Sequence, residues 1–397
     1  MTRRRPLRCR PSAWPLAVAA AALVASTGCI IIPIAETPRA ERVPPVTAPG
    51  FELAPDEARL WREASELEAR ARKSGAVLDD RALERDLLGI ARRLAPRGAL
   101  EKLDVRVFVI ESPALTAFTT PDGAIFVSMG LLSRLDNEAQ LAMVFGHELT
   151  HAVNRHHLVE YRTLKEGADL TAGMPFGLGV LGTKAAVTGY SRDLEREADA
   201  QGLTLLAAAG YDVREAPRPF EHLAAWVKDE GIEEPYAFAS HPRLEERLES
   251  TRALVEARYR DRRPGDQGAD RSGKAVREVI LATARLDLAG GRFDAAEHGA
   301  EAYLALHPRS AEALTVLADA ARQRGGADER ALELYRKAAA LDAGCAEAQR
   351  GLGLALARRG DRAGARSALR TYLKLAPAAV DRAWIEGELA DLDGRKP

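Results

Sequence analysis

The sequence predicts a mainly α-helical chain of the α+β class, with one small β-sheet in its N-terminal half and an α-solenoid at its C-terminal end. Three observations carry this expectation. Ala, Leu and Arg abound while only 5% of residues are aromatic, a composition that leans toward helix. Apolar residues recur at helical spacing along most of the chain, and the period drops to two only between Asp104 and Ser128. Beyond position 290 a pattern repeats at intervals of 35 and 34 residues. At 397 residues the chain exceeds one ordinary core and calls for two or three domains. With 46% hydrophobic and 29% charged residues it has a globular rather than a disordered composition.

The first residues read as a targeting segment. "MTRRRPLRCR" is basic, "AWPLAVAAAALVAS" is an apolar run of signal length, and "STGC" brings small residues up to Cys29. The order resembles a bacterial lipoprotein signal over residues 1–28 with Cys29 as the lipidated residue, although Ser26 stands where such signals usually carry Leu. A plain secretory signal and an uncleaved anchor are the alternatives, and all three put the body of the protein outside the cytoplasm. Loss of residues 1–28 removes five arginines, leaving 52 basic against 58 acidic residues, so no basic patch points to nucleic acid. Cys9 leaves with that segment and Cys29 is taken by lipid, so Cys345 alone cannot form an internal disulfide.

Residues 29–54 carry five prolines without helical periodicity and read as a flexible tether. Two helical segments follow between Pro55 and Leu94, split by "SGAV". "DVRVFVIE" alternates and "AIFVS" follows the turn "PDG", so Asp104–Ser128 reads as a small antiparallel sheet. Asp136 is the expected N-cap of the next helix, whose start "LAMVF" is apolar all round and therefore central. The glycine-rich stretch Gly167–Tyr190 is too broken for a membrane span and reads as a flap beside the site, with peripheral membrane contact as the sharper reading. Helices are expected from about Ser191 to Ala209 and after "SHP"; the polar stretch 260–273 reads as a linker, ending a domain over 55–259 and opening another over 274–393. In the latter, Gly291, Gly326 and Gly360 head three units, with Ala296, Ala331, Ala365 and Leu306, Leu341, Leu375 in matching registers. This pattern resembles tetratricopeptide repeats, with Val380–Leu392 as a capping helix.

The chemistry concentrates in "VFGHELTHAVNRHH". On a helix, His147 and His151 stand four apart and can present ring nitrogens to one ion, while Glu148 lies about 100° round, beside it. Two imidazoles leave a catalytic zinc one protein ligand short. "SRDLEREADA" offers that ligand: Glu195 and Asp199 are again four apart, so the first can reach the metal while the second hydrogen-bonds a ligand histidine; Glu197 is the weaker choice. "HELTH" with "SRDLEREAD", flanked by "TAFTTPDGAIFVSMGLL" and "SHPRLEERL", resembles the M48 family of zinc metallopeptidases over roughly Asp56–Ser250. Together with the repeats, it is most similar to the periplasmic branch of that family concerned with outer-membrane quality control.

The resemblance implies a zincin-like domain with one Zn2+ per chain on His147, His151 and Glu195, and Glu148 as general base. It also places His241 of "SHP" near the metal, as a gate that displaces the catalytic water or a donor to the tetrahedral intermediate; a capped turn is the plain alternative. His156 matches an Arg-His pair common in the family, but His156 and His157 read as outer-shell or surface residues, and His222, His298 and His307 as structural. The implied function is an endopeptidase of misfolded or misassembled envelope proteins, lipid-anchored at the outer membrane, with repeats that recruit clients or envelope complexes. A latent peptidase acting mainly as a chaperone or assembly scaffold is the rival reading, and the absence of a multi-span apolar region disfavours the membrane-embedded members of the family.

Overall fold

The computed structural model describes residues 43–168, 190–230, 244–325 and 328–394. The targeting segment, Cys29, most of the glycine-rich stretch and His241 lie outside the described residues. The chain divides into two compact units, one over residues 39–308 and one formed by residues from Arg309 onward. No helix among the described residues is long and apolar enough to cross a membrane.

The first unit opens with α1 (Pro55–Ser74), started by a proline in its first turn and closed by Gly75 at φ 75°. Helix α2 (Arg81–Leu94) is capped by the Asp80 carboxylate, which accepts from the backbone N–H groups of Ala82 and Leu83. Three strands follow, β1 (Arg106–Ile110), β2 (Ala117–Thr119) and β3 (Ala124–Ser128), in the spatial order β1-β3-β2. β1 runs parallel to β3 with Phe108 opposite Phe126, whereas β2 pairs antiparallel at the other edge. The sheet is therefore mixed, not antiparallel as expected. The turn before β3 does make a hairpin, but its partner is the short β2 inserted in the connection, and the chain must cross over to place β1 on the far side. Every residue of the central strand β3 is buried, which explains its unbroken apolar run.

A one-turn α3 (Met129–Leu132) leads into α4 (Glu138–Val153), in which every residue except Val144 is buried. The cap of α4 is Asn137 rather than Asp136: its side-chain oxygen accepts from Gln140 N–H at 3.0 Å, while Asp136 donates its own N–H to Gln140 Oε1. After α5 (His156–Ala168) come α6 (Arg192–Ala208), α7 (Arg218–Glu230), α8 (Leu244–Tyr259), α9 (Ala269–Ala289) and α10 (Phe293–Leu306). Helix α6 lies along α4 so closely that glycine is required on both sides. A Cβ on Gly146 would stand 3.0 Å from the Gly202 carbonyl oxygen, and one on Gly202 would stand 2.8 Å from His147 N.

Two stretches that read as free connectors are bound into this unit. Val46, in the expected tether, is buried and donates its N–H to Val153 O at 2.8 Å. In the expected linker, Asp266 N–H reaches Gly210 O, Asp266 O takes Asp212 N–H, and Gln267 O takes Ala139 N–H in the first turn of α4. The following helix α9 buries Val279, Ile280 and Ala284 and packs on α2, α3 and α4. The compact units accordingly part at Arg309, and α9 and α10 belong to the site-bearing unit. These ties are mainly backbone hydrogen bonds, which polar side chains in the sequence do not announce.

The second unit is a helical series, α11 (Ala311–Arg324), α12 (Asp328–Leu341), α13 (Ala346–Arg359), α14 (Arg362–Leu375) and α15 (Arg382–Leu392), each packed on the next. It has the form of an α-solenoid. The repeating alanines Ala331 and Ala365 are buried, but the repeating leucines Leu341 and Leu375 are 39% and 41% exposed at helix ends. Consecutive helices α12 and α13 meet through a small residue: a Cβ on Gly351 would collide with the Tyr335 ring, whose hydroxyl donates to Asp319 at 2.7 Å.

Replacing Gly202 by Val should force α4 and α6 apart and cost about 1–3 kcal/mol through overpacking. Urea unfolding monitored by circular dichroism measures this; a variant as stable as the parent would show that the backbones have slack.

Candidate active site

Helices α4 and α6 build the site. One turn apart on α4, His147 and His151 turn their Nε2 atoms toward each other at 3.0 Å. From the first turn of α6, Glu195 brings one carboxylate oxygen to 3.7 Å from His147 Nε2 and the other to 3.5 Å from His151 Nε2. All three side chains are buried and their donor atoms lie within 4.8 Å of one another, the one group of this kind among the described residues. Around a tetrahedral ion with bonds of about 2.0–2.2 Å, donor atoms stand about 3.3–3.6 Å apart, so the trio fits a single metal ion.

Each imidazole is held from behind by its other nitrogen. His147 Nδ1 lies 2.9 Å from Asp199 Oδ1, and His151 Nδ1 lies 2.9 Å from His156 Nδ1. With a cation on both Nε2 atoms, the outer nitrogens would carry the protons and donate to these partners, His156 accepting as a neutral ring. Burial, with His157 and His147 adding to it, pushes its pKa from the ordinary 6.5 down to about 3. Tyr190 stacks on His151 with ring centroids 3.9 Å apart, and burial raises its phenol well above the ordinary range.

The sequence reading missed Arg247 on α8. Its guanidinium is buried, donates to both Asp199 oxygens at 2.7 and 2.9 Å, and comes within 3.1 Å of Glu195. Burial opposes the charge on Asp199, but Arg247 and the hydrogen bonds from His147 and Arg247 outweigh it and hold the carboxyl well below its usual range. Arg247 is likewise held fully charged by Asp199 and Glu195 against the cost of its own burial. One signal was available: Leu244, Arg247 and Thr251 recur at helical spacing, so an arginine stands in the stripe that α8 buries.

Buried Glu148, Glu195 and Asp199 stand beside the Arg247 guanidinium, and with the two imidazoles they offer the nitrogen and oxygen donors that suit a divalent ion. The structure thus gathers His147, Glu148, His151, Glu195 and Asp199, the described residues the sequence singled out. Glu197 is turned away, accepting from Asn154 Nδ2 at 2.8 Å. Of the two expectations for His156, the outer-shell one holds, since it is a buried partner of His151, while His157 bonds the Thr119 carbonyl at 2.8 Å. His222 pairs with Asp136 at 3.1 Å and His307 stacks on Tyr303, away from the donor trio.

A buried His-Glu-x-x-His helix closed by a glutamate from a second helix, beside a small mixed sheet, defines a metallopeptidase-type domain. The chain carries a Peptidase family M48 domain, matched over residues 81–255. It is similar to the mitochondrial metalloendopeptidase OMA1 of Arabidopsis thaliana, 34% identical over 165 residues that make up 38% of this chain and 32% of that one. It is also similar to the beta-barrel assembly-enhancing protease of Escherichia coli strain K12, 27% identical over 198 residues, 46% of this chain and 40% of that one. The OMA1 metalloendopeptidase of Bos taurus is 33% identical over 159 residues, 36% and 29% of the two chains. The chain spans well under half the length of these relatives.

The His156 environment makes stability pH-dependent in the metal-free protein. Below about pH 6.5 the unfolded chain binds a proton that the folded ring refuses down to about pH 3, so stability falls as pH is lowered through that window. Between pH 8 and pH 5 this costs about 2 kcal/mol. In urea unfolding at the two pH values, His156→Gln should reduce the loss by that amount; an unchanged loss would mean that His156 is already protonated in the folded chain.

Proposed function

We propose that this chain is a zinc-dependent endopeptidase of the bacterial cell envelope that hydrolyses misfolded or misassembled envelope proteins. The observation that carries the reading is the convergence of His147, His151 and Glu195 at ligand spacing with Glu148 next to them on α4. When bound there, zinc would act as a Lewis acid on a peptide carbonyl and bring a water's pKa toward neutrality. Glu148 takes the proton of the attacking water, whose oxygen bonds to the carbonyl carbon; as the C–N bond breaks, the same carboxyl passes that proton to the leaving nitrogen. Asp199 and His156 keep the two ligand imidazoles in the tautomer that faces the ion, and Arg247 fixes Asp199. His241 is assigned to the metal's surroundings, as gate or as donor, on the resemblance alone.

Around this centre stand a lipoprotein signal over residues 1–28 with Cys29 as the lipidated residue, a peptidase domain, and tetratricopeptide-type repeats that recruit clients. The bacterial relatives similar to this chain are named for enhancing beta-barrel assembly, which favours an envelope location and partners in outer-membrane assembly. The scaffold reading has an observation of its own. The C-terminal unit exposes Leu341, Leu375, Val380 and Trp384, apolar groups available to a protein partner.

Glu148→Gln should retain about one zinc per chain by metal analysis while lowering cleavage of unfolded casein at least a thousandfold, as expected for loss of a general base with its water activation. Wild-type activity in that variant, or activity that survives chelation, would falsify the assignment.

A further inference from the structure

On the Glu148 side the site opens into a cleft of about 60 Å³. Its walls come from five places in the chain: Leu115 before β2, Leu131 on α3, Val144 on α4, Phe220 and Leu223 on α7, and Leu244 on α8. Val144 lies one turn before His147 and Glu148 on the same helix, and both of those side chains border the cleft. The opening is thus continuous with the place where a peptide bond would be cut. The buried cationic side chain that lines it, Arg247, is engaged by Asp199 and Glu195.

We infer that this cleft receives the side chain of a residue flanking the scissile bond and selects medium-sized aliphatic ones such as Leu, Met, Ile or Val. The inference rests on the peptidase reading of the site. Apolar walls reward buried methyl and methylene groups, whereas Lys, Glu or Asp would lose hydration against Leu115, Leu131, Val144 and Leu223. The size limit follows from the volume: the cleft is well below the roughly 150 Å³ of a cavity that admits a benzene ring, and an indole is larger still. Leu223 and Val144 set the width, because both are half-buried at the wall and not enclosed in the core.

Two measurements separate this inference from the peptidase reading. In the first, cleavage sites in unfolded casein are mapped by mass spectrometry for the full chain, for Leu223→Trp and for Leu223→Ala, with Val144→Phe as a second narrowing variant. One flanking position should be enriched in Leu, Met, Ile and Val. Narrowing should lower kcat/KM at those sites by about 10- to 200-fold while sparing sites with Ala or Gly, the range a single pocket contact discriminates. Leu223→Ala should admit Phe and Tyr. In the second, Glu148→Gln is titrated with alanine hexapeptides that differ only in one central residue, Leu, Met, Asp, Lys or Trp. Leu and Met peptides should bind at least tenfold more tightly than the others, and Leu223→Trp in that background should erase the difference. Cleavage with no flanking preference, or equal binding of all five peptides, would overturn the pocket. Selective binding without any cleavage would leave the pocket standing and overturn the peptidase reading.

Discussion

The site depends on how closely two helices approach. Where α4 meets α6, Gly146 and Gly202 bring backbone against backbone, and no side chain can adjust the gap. Glu195 and Asp199 lie seven and three residues before Gly202, so they share the face of α6 that this contact presses onto α4. The distances of 3.5 and 3.7 Å from Glu195 to the two imidazoles therefore follow from the glycine contact as much as from the motif. A shift of about 1 Å at a reacting centre is enough to cost two orders of magnitude in rate, which is why so tight a contact suits this place.

Burial then sets the electrostatics. Three carboxylates and one guanidinium sit buried together, with Arg247 paired to Asp199 and Glu195 and Asp199 also bonded to His147. Removing one partner of such a pair leaves an uncompensated buried charge worth about 3–5 kcal/mol. Asp199 links the two functions: it carries the proton bond of His147 and anchors α8 through Arg247. His156 performs the corresponding task for His151 without adding charge, because burial keeps its ring neutral. The site thereby gathers oriented nitrogen and oxygen donor atoms around one point, the arrangement a divalent cation completes.

Both ends of α4 are clamped by chain remote in sequence. At the N-terminal end Gln267 accepts an N–H that no residue of the helix can take, and at the C-terminal end Val46 donates to Val153. Arg155, which turns the chain from α4 into α5 at φ 59°, pairs through its guanidinium with the buried Glu57 carboxylate and with Pro44 O. A left-handed conformation costs a non-glycine residue about 1 kcal/mol, which this ion pair offsets. The helix that carries His147, Glu148 and His151 is thus fixed along its axis as well as against α6.

Local spacing along the chain was enough to reveal whatever repeats with the period of a helix or strand. Four-residue intervals put His147 with His151 and Glu195 with Asp199, apolar periodicity marked α1, α2, α4 and the C-terminal helices, and the run "AIFVS" marked a strand. Tertiary structure decided everything that depends on contact between distant segments. The parallel pairing of β1 with β3, the docking of residues 43–54 and 260–273, the burial of His156 and the reach of Arg247 into the site all arise this way. The physical reason is the same in each case: a helix or strand repeats its own period in the sequence, whereas a backbone hydrogen bond or a glycine-to-glycine approach leaves no periodic trace and exists only once the chain has folded.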